Sequence, residues 1–179
     1  MRSIVLAFVL AASASAAAAP AGVTITQDAD PAMTVGDVVI DGDPAEVFAQ
    51  VSDYRKWTEI MPDVARVEIS EQRGDDAHVT LVSPSGHRDN LHFHNQPQAR
   101  MIYFEDTGNH GRADVWAEIV FAPGETAGST RVHIRLYAKV HGVATLVIHE
   151  GNVREQRERK IAADLEHIRG YFRRRVARD

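Results

Sequence analysis

The sequence predicts an α+β fold: a curved, seven-stranded antiparallel sheet wrapped around a long C-terminal helix, with two short helices between the first and second strands. Three observations predict it. From Val64 onward apolar residues alternate with polar ones through six consecutive segments joined by short turns. A single helical pattern precedes them, and a long one closes the chain with Ile161, Leu165, Ile168 and Phe172 at 4-3-4 spacing. Such a sheet has one apolar face, and the C-terminal helix is the only long element able to cover it.

The first 19 residues read as a secretory signal peptide. Met1-Arg2 is a short positive start, "IVLAFVLAA" is an apolar run too short to span a bilayer comfortably, and "SASAAAAPAG" offers small residues for cleavage. A buried N-terminal helix is the alternative, but nothing caps it. No Cys follows the run, so a lipid anchor is not expected, and export to the periplasm or medium is. Residues 20–32 carry little hydrophobic content and read as a flexible linker, which leaves 33–179 as one domain.

Within that domain "MTVGDVVID" is the first strand. "GDPAEVFAQVSDY" carries a helix start, with Asp43 as N-cap, Pro44 at the first helical position and Glu46 at the third. "RKWTEIMP" continues as a second short helix ended by Pro62. "VARVEISEQ" opens the meander. "AHVTLVS" and "RDNLHFH" flank the loop Pro84-Ser85-Gly86, whose length pairs the apolar faces only if partner numbers sum to an even value. That register sets His78 opposite His92, with Gly86 left-handed. "RMIYFED", "ADVWAEIVF" and "STRVHIRLYAKV" follow, and the helix spans Asn152 to Val176.

Composition narrows the function. The chain has no Cys, so disulfides contribute nothing, and about 150 residues bury a core without them. Removing Arg2 with the leader leaves 19 Lys and Arg against 25 Asp and Glu, a net of −6, which gives no general attraction to nucleic acid or anionic lipid. The C-terminal "RRRVAR" reads as cations suited to a helix C-terminus, with transient membrane contact as the alternative. No stable membrane insertion, no nucleic-acid partner and no cofactor is expected, and the chain is expected to be a monomer.

The order of elements, headed by "VVIDGDPAEVFAQVSDYRKWTEIMPDVARVEI", resembles the START-like superfamily, also called the polyketide cyclase/dehydrase and lipid transport group, with its helix-grip fold. Pro44, Ala45, Val47, Phe48, Val51, Asp53, Trp57, Met61, Pro62, Val64 and Val67 stand where that opening motif has them, and the likeness extends from Met33 to Phe172. The resemblance implies an apolar cavity between sheet and helix that takes sterols, phospholipids, quinones or polyketides, with aromatic ring closure in some members. "HGVATLVIHEGN" lacks the Gly-Gly, Pro and Trp pattern of many lipid-transfer members, which argues against a direct carry-over from those.

A hydrophobic small-molecule ligand is therefore the expected partner. The cavity or its gate is expected to involve Val51, Tyr54, Trp57, Ile60, Met61, Val79, Leu81, Leu91, Phe93, Tyr103, Ala117, Ile119, Ile134, Leu136, Ile161, Leu165 and Ile168. Trp57, Ile60 and Met61 would roof its mouth. His78, His92 and His94 share the opposite, solvent-facing side; they have the chemistry of a zinc or copper site, but there is no Cys, the nearest carboxylate by sequence, Asp89, has the parity of the inner face, and no specific metal is expected. No nucleophile triad, helical metal motif or phosphate loop occurs, so catalytic residues are unknown and an enzyme rests on fold analogy. Asp89, Glu71 and Glu105 are the carboxylates considered for an inward acid–base role. The competing readings are a cyclase/aromatase-type enzyme and a structural or stress-related protein with a filled core.

Overall fold

The computed structural model describes residues 22–108, 113–141 and 150–177, with the side chains of 150 and 151 excepted. The stretch 1–19 expected to be a signal peptide, the connection 142–149 and Arg178 lie outside the described residues.

Asp43 starts the first helix as the sequence requires. Its Oδ1 accepts from the backbone N–H of Ala45 at 2.8 Å, Pro44 occupies the first turn, and α1 runs Pro44–Val51. Asp53 then caps a 3-10 turn over Tyr54–Lys56, which leads into the single-turn α2, Trp57–Ile60. Together these form a helical arm between the second and third strands.

Among the described residues the sheet has eight strands, where the sequence reads as seven. In chain order they are β1 Val23–Gln27, β2 Met33–Asp41, β3 Arg66–Arg73, β4 Asp76–Val82, β5 Arg88–Gln96, β6 Met101–Asp106, β7 Ala113–Pro123 and β8 Ser129–Val140. The extra one is β1, which lies in the stretch expected to be linker. It pairs antiparallel with β2, Ile25 opposite Gly36, and only Val23 of its five residues is buried. A short, mostly exposed edge strand carries little apolar signal, which is why the sequence reads as linker there.

The spatial order is β1-β2-β8-β7-β6-β5-β4-β3, all neighbours antiparallel. The long-range closure is β2 on β8, and everything between β3 and β8 is a meander. The β4–β5 register follows the even-sum rule, with His78 opposite His92 and Val79 opposite Leu91, and Gly86 has φ +83°. Ala117, Ile119 and Phe121 pair with Leu136, Ile134 and Val132 on the inner face. After β5 a 3-10 turn over Pro97–Ala99 ends in Arg100 at φ +48°, and this turn resets the phase of β6.

The C-terminal helix α3 spans Glu150–Val176. It packs on β1, β2 and β8 and touches α2. Gly36 allows the closest approach: a Cβ there would lie 2.3 Å from Ile161 Cγ2 and 2.9 Å from Leu165 Cδ1. Arg157 is also buried here, its guanidinium donating to Thr34 Oγ1 at 3.2 Å and to the Ala138 carbonyl at 2.8 Å, so its polar head is satisfied rather than stranded. No helix among the described residues is long and apolar enough to cross a membrane.

Candidate functional site

Sixteen of the seventeen residues expected at the cavity or gate join one buried apolar cluster. Val51, Tyr54, Trp57, Ile60 and Met61 come from the helical arm, Val79, Leu81, Leu91, Phe93, Ala117, Ile119, Ile134 and Leu136 from the sheet, and Ile161, Leu165 and Ile168 from α3. Tyr103 is the correction. It pairs with His94 and Glu118 and its ring lies 6.2 Å from that of Trp116 on the outer face, because the turn at Arg100 puts Ile102 and Phe104 inward instead.

Trp57 is fully packed. Its ring meets Phe93 edge-on at 5.3 Å, its Nε1–H donates to the Val51 carbonyl at 2.7 Å, and only 4% of the residue is exposed. Tyr54 packs against Phe93 with the rings tilted by 38° and their centroids 4.4 Å apart, and its hydroxyl donates to Asn95 Oδ1 at 2.8 Å. Burial pushes the Tyr54 phenol well above the usual tyrosine range. Beside this aromatic group a surface groove of about 310 Å³ runs between α1, the 3-10 turn and the tip of the β3–β4 hairpin, with Arg55, Ile69 and Asp75 on its walls.

The other end of the interior is polar. Lys160 on α3 places Nζ 3.1 Å from Asp63 Oδ2 and 2.5 Å from Asp164 Oδ1. Lys160 and Asp164 are surrounded by protein, yet keep 27% and 20% of their side-chain surface open to water. With Asp63, 49% open, they form a half-open polar cluster, the Lys160 recess. Asp63, Asp164 and His167 each bring a potential ligand atom within 4.8 Å of the others. That donor set suits a divalent cation, but the Lys160 ammonium already bridges the two carboxylates. Asp89, on the inner face beside Leu91, keeps only 16% of its side chain exposed, hydrogen-bonds His87 Nε2 at 2.9 Å and feels the charge of Lys160.

Burial and charge pull these groups apart. Burial pushes the Lys160 ammonium down, but Asp164 and Asp63 outweigh it and hold it above the usual lysine range. Burial pushes the Asp63 carboxyl up, but the Lys160 charge and hydrogen bond leave it below the usual carboxylate range. Asp164 goes the other way: burial raises it by more than Lys160 lowers it. Burial likewise raises Asp89 against the opposing pull of His87.

Outside the grip, His78 and His92 stack at 4.6 Å between ring centroids, and His94 Nδ1 lies 3.0 Å from Asp76 Oδ1. His92 sits 3.5 Å from both Asp76 and Glu105. The three rings share the face the sequence assigns them, but their donor atoms do not converge as the recess set does. Glu71 lies beyond a β-bulge and is exposed. Lys160, Asp164 and His167 were legible only as charges on the helix, and Asp63 only as a turn residue. Their one signal is the spacing of Gln156, Lys160, Asp164 and His167, which sets them in a row beside the apolar stripe.

A helix gripped by a curved antiparallel sheet matches a family model described as polyketide cyclase / dehydrase and lipid transport, over residues 32–172. The chain belongs to this family. Among solved structures, this START-like chain is similar to the Zhui aromatase/cyclase from Streptomyces sp. R1128, with TM-score 0.67 and 18% identity over 80% of this chain and 94% of that one. It is also similar to a STAR-related lipid transfer protein from Xanthomonas axonopodis (TM-score 0.63, 16% identity, 88% of this chain and 97% of that one). A START superfamily protein from Mycobacterium smegmatis gives TM-score 0.66 at 13% identity, covering 79% and 97%. At these identities the likeness shows the helix-grip fold alone. No curated protein matches the chain.

Proposed function

We propose that this START-like protein binds a hydrophobic small molecule in the interior between sheet and α3, with the molecule's polar end at the Lys160 recess. The observation that supports it is the recess itself. A charged group placed inside an apolar grip costs desolvation energy, which ion pairing offsets only in part. Here Lys160 lies near enough to Asp89 for its charge to be felt there, while Lys160 and Asp63 keep 27% and 49% of their side-chain surface open to solvent. An amphipathic ligand would lay its apolar body against Leu81, Leu91 and Ile161 and its head among the charges. The apolar run and small residues at 1–19, which read as a secretory signal, support action after export.

The test is native mass spectrometry of protein isolated from the export compartment, before and after solvent extraction. One discrete adduct, removed by the solvent, is expected. Ligand-free mass in every preparation, with no saturable uptake of a neutral apolar probe, would sink the reading.

Asp164 favours a second reading. Its carboxyl, raised by burial, lies within 4.8 Å of a His167 ring nitrogen, the residue types of an acid–base pair, so a cyclase-type reaction on a bound polyketide is the alternative. Turnover of an aromatic polyketide precursor that disappears with Asp164→Asn, while binding persists, would favour the enzyme.

A further inference from the structure

Four side chains able to bind a metal stand together on the outer face of the β4–β5 hairpin. In its register His78 lies opposite His92, and Asp76 opposite His94. Directly opposed Cβ atoms on a sheet are about 5 Å apart, and residues two apart on one strand about 7 Å. The four side chains therefore rise from the corners of one small rectangle, close enough to share a single ion above its centre. Sequence parity offers these histidines only the inward Asp89 as a neighbouring carboxylate. The structure supplies two on their own face, Asp76 on β4 and Glu105 on β6, the latter opposite His92.

Two of the donor pairs already have the spacing of neighbouring ligands. Donors held at about 2.0–2.1 Å by a tetrahedral ion lie about 3.3 Å from one another. Asp76 Oδ1 is 3.0 Å from His94 Nδ1 and 3.5 Å from His92 Nε2. His78 stacks on His92, so its ring must turn to complete the set, and its side chain is exposed and free to do so. His92, His94 and Asp76 are also open enough to adjust, with 30%, 43% and 51% of their side chains exposed.

The other nitrogen of His92 is a separate observation that points the same way. Its Nδ1 lies 3.5 Å from Glu105 Oε1, and the Tyr103 hydroxyl donates to Glu105 Oε2 at 3.5 Å. A ligating histidine almost always gives its second ring N–H to a carboxylate, carbonyl or water, which fixes its tautomer. A proton held on Nδ1 by Glu105 leaves the lone pair on Nε2, the nitrogen on the Asp76 side. Nε2 and Asp76 Oδ1 then face each other as two acceptors, an arrangement that a cation between them relieves. The cation nearest in register, Arg73 opposite Asp76, gives its Nε to Glu71 at 2.7 Å. Asp76 is thus not claimed as Lys160 claims Asp63 and Asp164.

We propose that His78, His92, His94 and Asp76 form a zinc-type metal site, with Glu105 positioning His92 from behind. Three imidazole nitrogens and one carboxylate oxygen suit a borderline divalent ion, whereas calcium and magnesium take oxygen ligands. The ion ties β4 to β5 across their ladder. The site lies on the sheet face turned away from α3, so it stands apart from binding in the interior.

The experiment is titration of the untagged, metal-stripped chain at pH 7.5 with zinc chloride by calorimetry, and with cobalt(II) chloride by visible absorption, which reports tetrahedral ligation. One ion per chain, a micromolar or tighter dissociation constant and a visible cobalt band displaced by zinc are expected. His92→Ala should abolish the band, and His78→Ala and Asp76→Asn should each weaken zinc about tenfold or more. Glu105→Gln should weaken zinc about tenfold while the band and the one-to-one stoichiometry persist, as a positioning residue requires. Asp164→Asn, in the Lys160 recess, should change nothing. Thermal midpoints of the metal-free variants close to the parent's show that these exposed substitutions leave the fold intact. Zinc binding kept by His92→Ala and lost in Asp164→Asn would assign the ion to Asp63, Asp164 and His167 and overturn the inference. So would a dissociation constant above about 0.1 mM with no cobalt band, the mark of adventitious surface affinity.

Discussion

Lys160 and Asp63, 97 residues apart in the chain, meet at 3.1 Å between Nζ and Oδ2. The contact ties the middle of α3 to the segment that follows the helical arm. Lys160→Met should therefore leave Asp63 and Asp164 facing each other uncompensated. A loss of about 2–3 kcal/mol at pH 7.5 is expected, below the value for a fully buried pair because the recess is wet. In the parent chain the depressed titration of Asp63 contributes stability above the ordinary value of 3.8 that is lost as pH falls through its folded value. The variant lacks that contribution, so the gap between the two denaturation curves should narrow as pH falls below 3.8. A constant gap from pH 3 to 8 would contradict the assignment.

Asp89 gives the opposite sign. Burial raises its carboxyl from 3.8, so the folded state holds the proton more tightly than the unfolded chain does. Stability from this group is present below 3.8 and is lost as pH rises through the raised folded value. Asp89→Asn should raise the thermal midpoint at pH 7 and leave it little changed at pH 3.5. A lower midpoint at pH 7 would mean that the bond to His87 outweighs burial.

Gly36 is fixed by the helix above it. In Gly36→Ala the new Cβ meets Ile161 Cγ2 at 2.3 Å, and the helix must move or the side chains leave their rotamers. Chemical denaturation should show a loss of about 1–3 kcal/mol. Ile161→Val in the same chain should recover part of it, and no recovery would place the cost elsewhere.

Trp57 holds the helical arm to the sheet through Phe93 and the Val51 carbonyl. Trp57→Ala should cost about 3–5 kcal/mol in equilibrium unfolding, the range for a buried aromatic. A gate residue would instead change ligand retention with little loss of stability.

The β1 strand is structural rather than a tether. Ile25 packs toward Gly36 and the helix, and Gln27 Nε2 donates to Glu158 Oε1 at 3.3 Å. A chain starting at residue 29 should melt several degrees below one starting at residue 20, since about 1 kcal/mol moves the midpoint by about 2–8 °C in domains of this size. Equal midpoints would restore the linker reading.

How far the sequence carried can be judged from such residues. The hairpin at Pro84-Ser85-Gly86 was fully legible, because loop length and parity leave one register for the apolar faces. The Asp43-Pro44 helix start was legible for the same local reason. β1 was not, since five mostly exposed residues on a sheet edge need no apolar alternation. Tyr103 pointed the wrong way because the left-handed Arg100 shifts the phase of β6, and an Arg at positive φ leaves no compositional mark. The recess was hidden because charges next to an apolar helical stripe ordinarily face water. In the structure the row is half-buried, because Asp63 at the end of the helical arm meets it at Lys160.

The central claim is that an apolar ligand sits inside the grip. Isoleucine δ1-methyl NMR during titration with decan-1-ol tests it most directly, because Ile102, Ile119, Ile161 and Ile168 line the core while Ile69 lines the surface groove. Saturable shifts at the core methyls, strongest at Ile161 on the recess turn, with Ile69 unmoved, are the predicted result. Shifts confined to Ile69, or none at saturating alcohol, would contradict it.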